Sequence, residues 1–234
     1  MGKSTATLTD VALSTEDGLG IWMVQNAQLS AQNCHVTHSG RSGFALFGFA
    51  SVNLRNCLVE RCVIHGICAR GHTKVEIDGC QVLNCGRRGV YGYQNNTLRM
   101  TDCTVRGTED PTRSAVEAAG GREGDSVDVS IKRCTVHSNK GAGIRLRGAV
   151  AYRLEENECT GSGEGDLHMS YCEENGSWPK ASCEPTGKYD MVQNDQDSAG
   201  DVETLPLSGG PAVCGQDVES GKAVGAQSKP KQTA

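Results

Sequence analysis

The groups best able to do chemistry in this chain are its sulfurs, a few carboxylates, and a set of arginines and aromatic rings. Twelve cysteines fall within 234 residues, and the pairs in "CLVERC" (Cys57, Cys62) and "CQVLNC" (Cys80, Cys85) have the outline of a four-thiolate zinc site. Glu117, with Glu109, Asp110, Glu123 and Asp125 close by in sequence, supplies carboxylates of the kind that hydrolyse glycosides when two stand ~5–10 Å apart. Trp22, Phe47, Tyr91 and Tyr93, together with Arg70, Arg145 and Arg147, combine ring faces with guanidinium groups. Such a set suits stacking on sugar rings and pairing with carboxylates or sulfates. Which of these groups can act together depends on the elements that carry them.

Those elements repeat. Cys34, Cys57, Cys80 and Cys103 are spaced by 23 residues, and Cys134 and Cys159 follow after 31 and 25. Gly20, Gly43, Gly66 and Gly89 keep the same interval, as do Ile21, Phe44, Ile67 and Val90, and Val36, Val59, Val82 and Val105. A fixed period of this size marks a repeat architecture. Within the unit "SVNLRNCLVERCVIHGICARGHT", Val52 and Leu54 alternate with polar neighbours, as do Cys57 and Val59, and a third apolar piece follows Gly66. Alternation over such short runs is strand periodicity. It slips by one residue between Leu54 and Cys57, so the chain must turn a corner there. The corner position reads Asp10, Asn33, Asn56, Gly79, Asp102, types that tolerate a left-handed backbone. Three short strands per turn predict an all-β parallel β-helix of about seven coils, beginning near Ala6, Gln28, Ser51, Lys74, Thr97, Ser126 and Val150. Stacked at ~4.8 Å, they give a rod of roughly 34 Å. The fifth coil carries the insertion "GTEDPTRSAVEAAGGREGD".

This frame sorts the candidates. Members of a Cys-x4-Cys pair lie up to ~16 Å apart along extended strand, whereas zinc holds its sulfurs at ~2.3 Å. The six histidines share no column. Stacked cysteines point the same way, which fits a disulfide poorly. The cysteine column is therefore predicted to be core packing by small buried hydrophobes that Val could replace, with no metal and no cofactor. Function is sought on side chains that leave the rod. On the strand after the repeat glycine, the first outward column reads Trp22, Ala45, Cys68, Tyr91, Glu117, Arg145, His168. The second reads Val24, Phe47, Arg70, Tyr93, with Arg147 further along. Four of the chain's ten aromatic residues thus gather on one face with three arginines.

The recurring Asn-Cys-x-Val…Gly-Ile pattern, as in "RNCLVERCVIHGI" and "KRCTVHSNKGAGI", resembles the right-handed parallel β-helix repeat superfamily, over about residues 6–172. That group includes pectate lyases, NosD-type proteins, and carbohydrate-binding and sugar-hydrolase repeats. The resemblance implies the right-handed coil, and it implies polysaccharide binding along the outer face of the equivalent strand. Two classes of function follow. One is a non-catalytic module that recognises an acidic glycan or a protein partner through Trp22, Phe47, Arg70, Tyr91, Tyr93, Arg145 and Arg147. The other is a polysaccharide hydrolase or lyase with Glu117 as its catalytic carboxylate and a second acid from the insertion. The absence of paired carboxylates from the outward columns favours the first, and no clustered aspartates offer calcium its six or more oxygens.

Aromatic content of 4% and hydrophobic content of 37% suit a narrow rod filled by small and β-branched residues. A net charge of −5 without a Lys/Arg run carries no nucleic-acid signature. No stretch reads as a membrane span or signal peptide, which points to a reducing, cytoplasmic setting. From residue 173 onward the beat is gone and five of the six prolines occur. That segment is expected to be a mostly disordered tail, separate from a β-helix domain over residues 1–172. Leu167, Met169, Tyr171 and Trp178 are candidates to cap the last coil.

Overall fold

The computed structural model describes residues 3–120, 125–148 and 150–170, with side chains as far as His168. Tyr171, Trp178 and the expected tail lie outside the described residues. Leu167 is fully buried within the last strand. All the described residues fall within one compact unit.

Among the described residues there are 21 strands and no helix, arranged as three parallel seven-stranded sheets. Each sheet takes every third strand in chain order, which is the topology of a three-sided solenoid. Registers are held residue for residue: Val59 pairs with Val36 and Val82, and Val105 pairs with Val82 and Val136. The first sheet begins its strands at Thr5, Gln28, Ser51, Lys74, Thr97, Val127 and Val150, within one residue of the predicted coil starts.

The corner after the first sheet is left-handed in every coil. Asp10, Asn33, Asn56, Gly79 and Asp102 have φ of 50–61°, and Arg133 and Glu156 adopt the same conformation at 49° and 53°. A second left-handed corner follows the second sheet at His38, Arg61, Asn84, Gly107, Ser138 and Gly161. Its residue types are too mixed to betray it in sequence. Backbone bonding to the next coil over-determines these positions: Asn56 N–H donates to Asp78 O at 2.9 Å and Arg61 N–H to Leu83 O at 3.0 Å.

The repeat glycines have a different reason. A Cβ on Gly66 would lie 2.5 Å from Val82 Cγ1 and 2.7 Å from Gly89 O, and one on Gly89 would lie 2.4 Å from Val105 Cγ1. At the start of the third-sheet strand the backbone passes so close to the next coil's valine that only hydrogen fits.

The core is a stack of ladders. Cys34, Cys57, Cys80, Cys103 and Cys134 are buried free thiols, and they pack as the spacing predicts. They also hydrogen-bond, which the spacing did not predict. Cys57 N–H donates to Cys80 Sγ at 3.2 Å and Cys103 N–H to Cys134 Sγ at 3.4 Å. The Cys57 and Cys103 thiols donate to Ala31 O and Ile77 O, each at 3.5 Å. Cys159 is not the sixth rung. It pairs with Val136 and continues the valine column. Asn157 takes the cysteine place, accepting from Cys134 N–H at 2.9 Å and donating to Ile131 O at 2.8 Å. At Cys80, Cys134 and Asn157 the ladder side chain thus accepts a backbone N–H, a role an apolar side chain would not fill.

Candidate functional site

The third sheet, Ile21–Met23, Phe44–Phe47, His65–Arg70, Arg88–Tyr93, Val116–Ala119, Ile144–Arg147 and Leu167–Ser170, carries the predicted outward columns. Registry brings them together as expected: Tyr91 pairs with Cys68 and Glu117, Glu117 with Arg145, and Tyr93 with Arg70. Inward residues Phe44, Leu46, Ile67, Val90 and Ile144 are buried in the core.

The outer face is less open than its phase predicts. Ala45 and Cys68 are buried, and Glu117 is only 1% exposed. Glu117 was expected to stand open on the face. Instead it lies under two guanidinium groups: Arg88 Nε reaches Glu117 Oε2 at 2.8 Å, and Arg147 reaches Oε1 at 3.7 Å. Arg88 is itself 3% exposed and belongs to none of the predicted outward columns. It sits immediately before the repeat glycine, and its side chain folds back over the sheet. Its guanidinium lies 4.2 Å from the centroid of the Tyr91 ring. His65 occupies the same place one coil earlier, is 3% exposed, and holds its ring 5.4 Å from Tyr91. Stacking the repeats one position upstream of the glycine would have collected Ser42, His65, Arg88 and Ser114. Their polar types gave no hint that they are buried.

Around this centre the predicted strip divides. Tyr91 and Tyr93 stack at 6.1 Å with 24° between planes, and Arg70 lies over Tyr93 at 5.4 Å. Arg147 joins them through Glu117. Arg145 is held aside, donating to Thr112 O at 3.4 Å and pairing with Glu164 at 3.2 Å. Trp22 stands in the first coil, 41% exposed, and Phe47 is half-buried in the second. The contiguous group is therefore Arg70, Tyr93, Tyr91, Arg88, Glu117 and Arg147, with His65 beneath it.

Of the insertion's acids, Asp110 and Asp125 are engaged away from Glu117. The insertion contains the strand Val116–Ala119, so it is split into an arc before that strand and another after it. In the first arc Asp110 caps its own turn, accepting from Thr112 N–H and Oγ1 at 2.9 and 2.7 Å. In the second Asp125 accepts from Asn95 at 2.8 Å, and Glu123 lies outside the described residues. Glu117's ion-pair partners are both cations.

Burial sets the protonation of the neighbours. It pushes the Tyr91 hydroxyl up to about 12 and the Cys68 thiol up to about 11. Burial first, and then the charges of Arg88, Arg87, Arg113 and Arg70, hold His65 well below the usual imidazole value, so it is neutral at pH 7. Among the described residues no group of three or more His, Cys, Asp or Glu is placed to hold a metal ion.

The coils and the sequence now meet one class of protein. The sequence matches the family described as "Right handed beta helix region" over residues 2–123, and the chain belongs to it. The remaining coils, to residue 170, continue the same three sheets. No curated protein and no solved structure matches the chain.

Proposed function

We propose that this β-helix is a non-catalytic recognition module that takes an extended acidic glycan along the outer face of its third sheet. The observation that carries the reading is the contiguous line of Arg70, Tyr93, Tyr91, Arg88 and Arg147, in which a stacked pair of phenol rings is flanked by guanidinium groups. Ring faces bind sugar planes and guanidinium forks bind carboxylate or sulfate. Coils at ~4.8 Å spacing present these groups at intervals that suit a linear polymer.

The state of Glu117 supports recognition over turnover. A glycosidic acid needs a raised affinity for its proton, and a nucleophile needs access to the sugar. Glu117 is buried beneath Arg88 and Arg147, out of reach of a sugar on the face, and its contacts fix those two arginines in place. Arginines held in this way lose less side-chain freedom on binding.

The test is calorimetry of the purified protein with sulfated and uronate oligosaccharides, paired with a depolymerisation assay. Micromolar binding that Tyr93→Ala abolishes, without new reducing ends or unsaturated products, is the expected result. Cleavage of any substrate would establish the hydrolase or lyase reading. Binding of an acidic protein segment but no glycan would move the site to a protein partner.

A further inference from the structure

His65 is the buried titratable group that the proposed binding line does not use. Its ring is packed on Tyr91, inside a ring of positive charge. Cys68 and Arg70 come from its own strand, Arg88 and Tyr91 from the next, and Glu117 from the one beyond. Arg87 and Arg113 come from the turns beside it. The strand on its other side, Phe44–Phe47, presents no titratable side chain, and the turn before that strand carries Arg41. Burial first, and then the cations Arg88, Arg87, Arg113 and Arg70, disfavour a proton on His65.

We propose that His65 makes binding on this face pH-dependent: an acidic group bound among the arginines draws a proton onto the imidazole, so the complex tightens as pH falls. This rests on the acidic-ligand reading above. The physical step is reciprocal linkage. A sulfate or carboxylate beside Arg70 and Arg88 lowers the positive potential at His65, so the bound protein takes up a proton from solvent that the free protein refuses. By thermodynamic necessity the proton then favours the ligand by the same factor. Within the window where the complex is protonated and the free protein is not, affinity rises by up to about tenfold per pH unit. The upper edge of that window is set by the complex and the lower edge by the depressed value of free His65.

The experiment is titration calorimetry with a heparin-derived hexasaccharide, whose sulfates stay ionised throughout, at pH 7.5 and pH 5.5. Wild type and His65→Gln are compared, with circular dichroism confirming that both are folded at each pH. Wild type is expected to bind more tightly at pH 5.5 and to take up close to one proton, measured from buffers of different ionisation heat. His65→Gln is expected to lose that uptake and the steeper part of the pH slope. As a second readout needing no variant, the His65 ring resonance should titrate well below 6.5 in free protein and move upward with hexasaccharide. An equal pH slope in both proteins, or a His65 resonance that ligand does not move, overturns this inference and leaves the glycan reading standing. No binding of wild type at either pH overturns the glycan reading, and this inference with it.

Discussion

The inside of the rod and the outside of its third sheet bury their side chains by opposite means. Inside, one residue type recurs coil after coil, and its rungs bond: Cys80 and Cys134 accept a neighbouring rung's backbone N–H, and Asn157 does the same where the cysteines end. Outside, Arg88, Glu117 and His65 are as buried and Tyr91 is half-buried, yet each occurs once in its column. Repetition lowers the cost of folding a solenoid because neighbours are interchangeable. A single buried ion pair gains nothing from repetition and bears a desolvation penalty that apolar residues of the same volume would avoid. A fold does not need such a cluster, which is why the outer face is the place to look for function.

The comparison can be broken most forcefully at the ion pair. Arg88→Ala leaves the Glu117 carboxylate buried with only Arg147 at 3.7 Å, and should cost about 3–5 kcal/mol. Differential scanning calorimetry should show a fall in melting temperature of roughly 10 °C for a domain of this size. Replacing the pair with Arg88→Met and Glu117→Leu should restore most of that loss while abolishing ligand binding. A double variant that binds as wild type does would mean that the cluster is only packing.

The ladder sharpens the same contrast. Cys80→Val conserves volume but removes the acceptor for Cys57 N–H, and an unsatisfied buried donor should cost about 1–3 kcal/mol. Cys80→Asn, copying Asn157, should cost less than Cys80→Val in urea unfolding. The opposite order would return the column to pure apolar packing.

Stability should also fall with acid. The unfolded chain protonates His65 near its ordinary value of 6.5, and the native state resists to a lower pH. The native state therefore binds fewer protons in that window, and stability is lost as pH falls below about 6.5, levelling off below the native value. Urea midpoints between pH 7.5 and 5 should show this slope, reduced in His65→Gln. The smallest expected effect is Tyr93→Ala. Its ring is partly exposed and faces away from the core, so the change should move the melting temperature by no more than a few degrees while removing affinity.

Much of the architecture was legible because it is periodic. The 23-residue interval identified the coils, the slip between Leu54 and Cys57 identified the first corner, and alternation after Gly66 gave the inward and outward phase of the third sheet. Cys159 was misplaced because the interval of 25 joined two different columns. The second corner was missed because Arg61, His38 and Ser138 are not types that announce a left-handed backbone.

The candidate site was legible in phase but not in depth. Sequence placed Tyr91, Glu117 and Arg145 in one column and Arg70 beside Tyr93, because pairing register follows directly from the repeat. It could not bury Glu117, since that depends on where the side chain of Arg88, the first residue of its strand, goes over the sheet. Nor could it show that His65 is surrounded by cations contributed by three coils. Periodicity determines which residues stack, because stacking is a property of the backbone and its hydrogen bonds. Only the tertiary structure decides which of the stacked side chains lose their water, because that depends on long side chains, such as those of Arg88 and Arg147, folding over a face that the repeat alone would leave open.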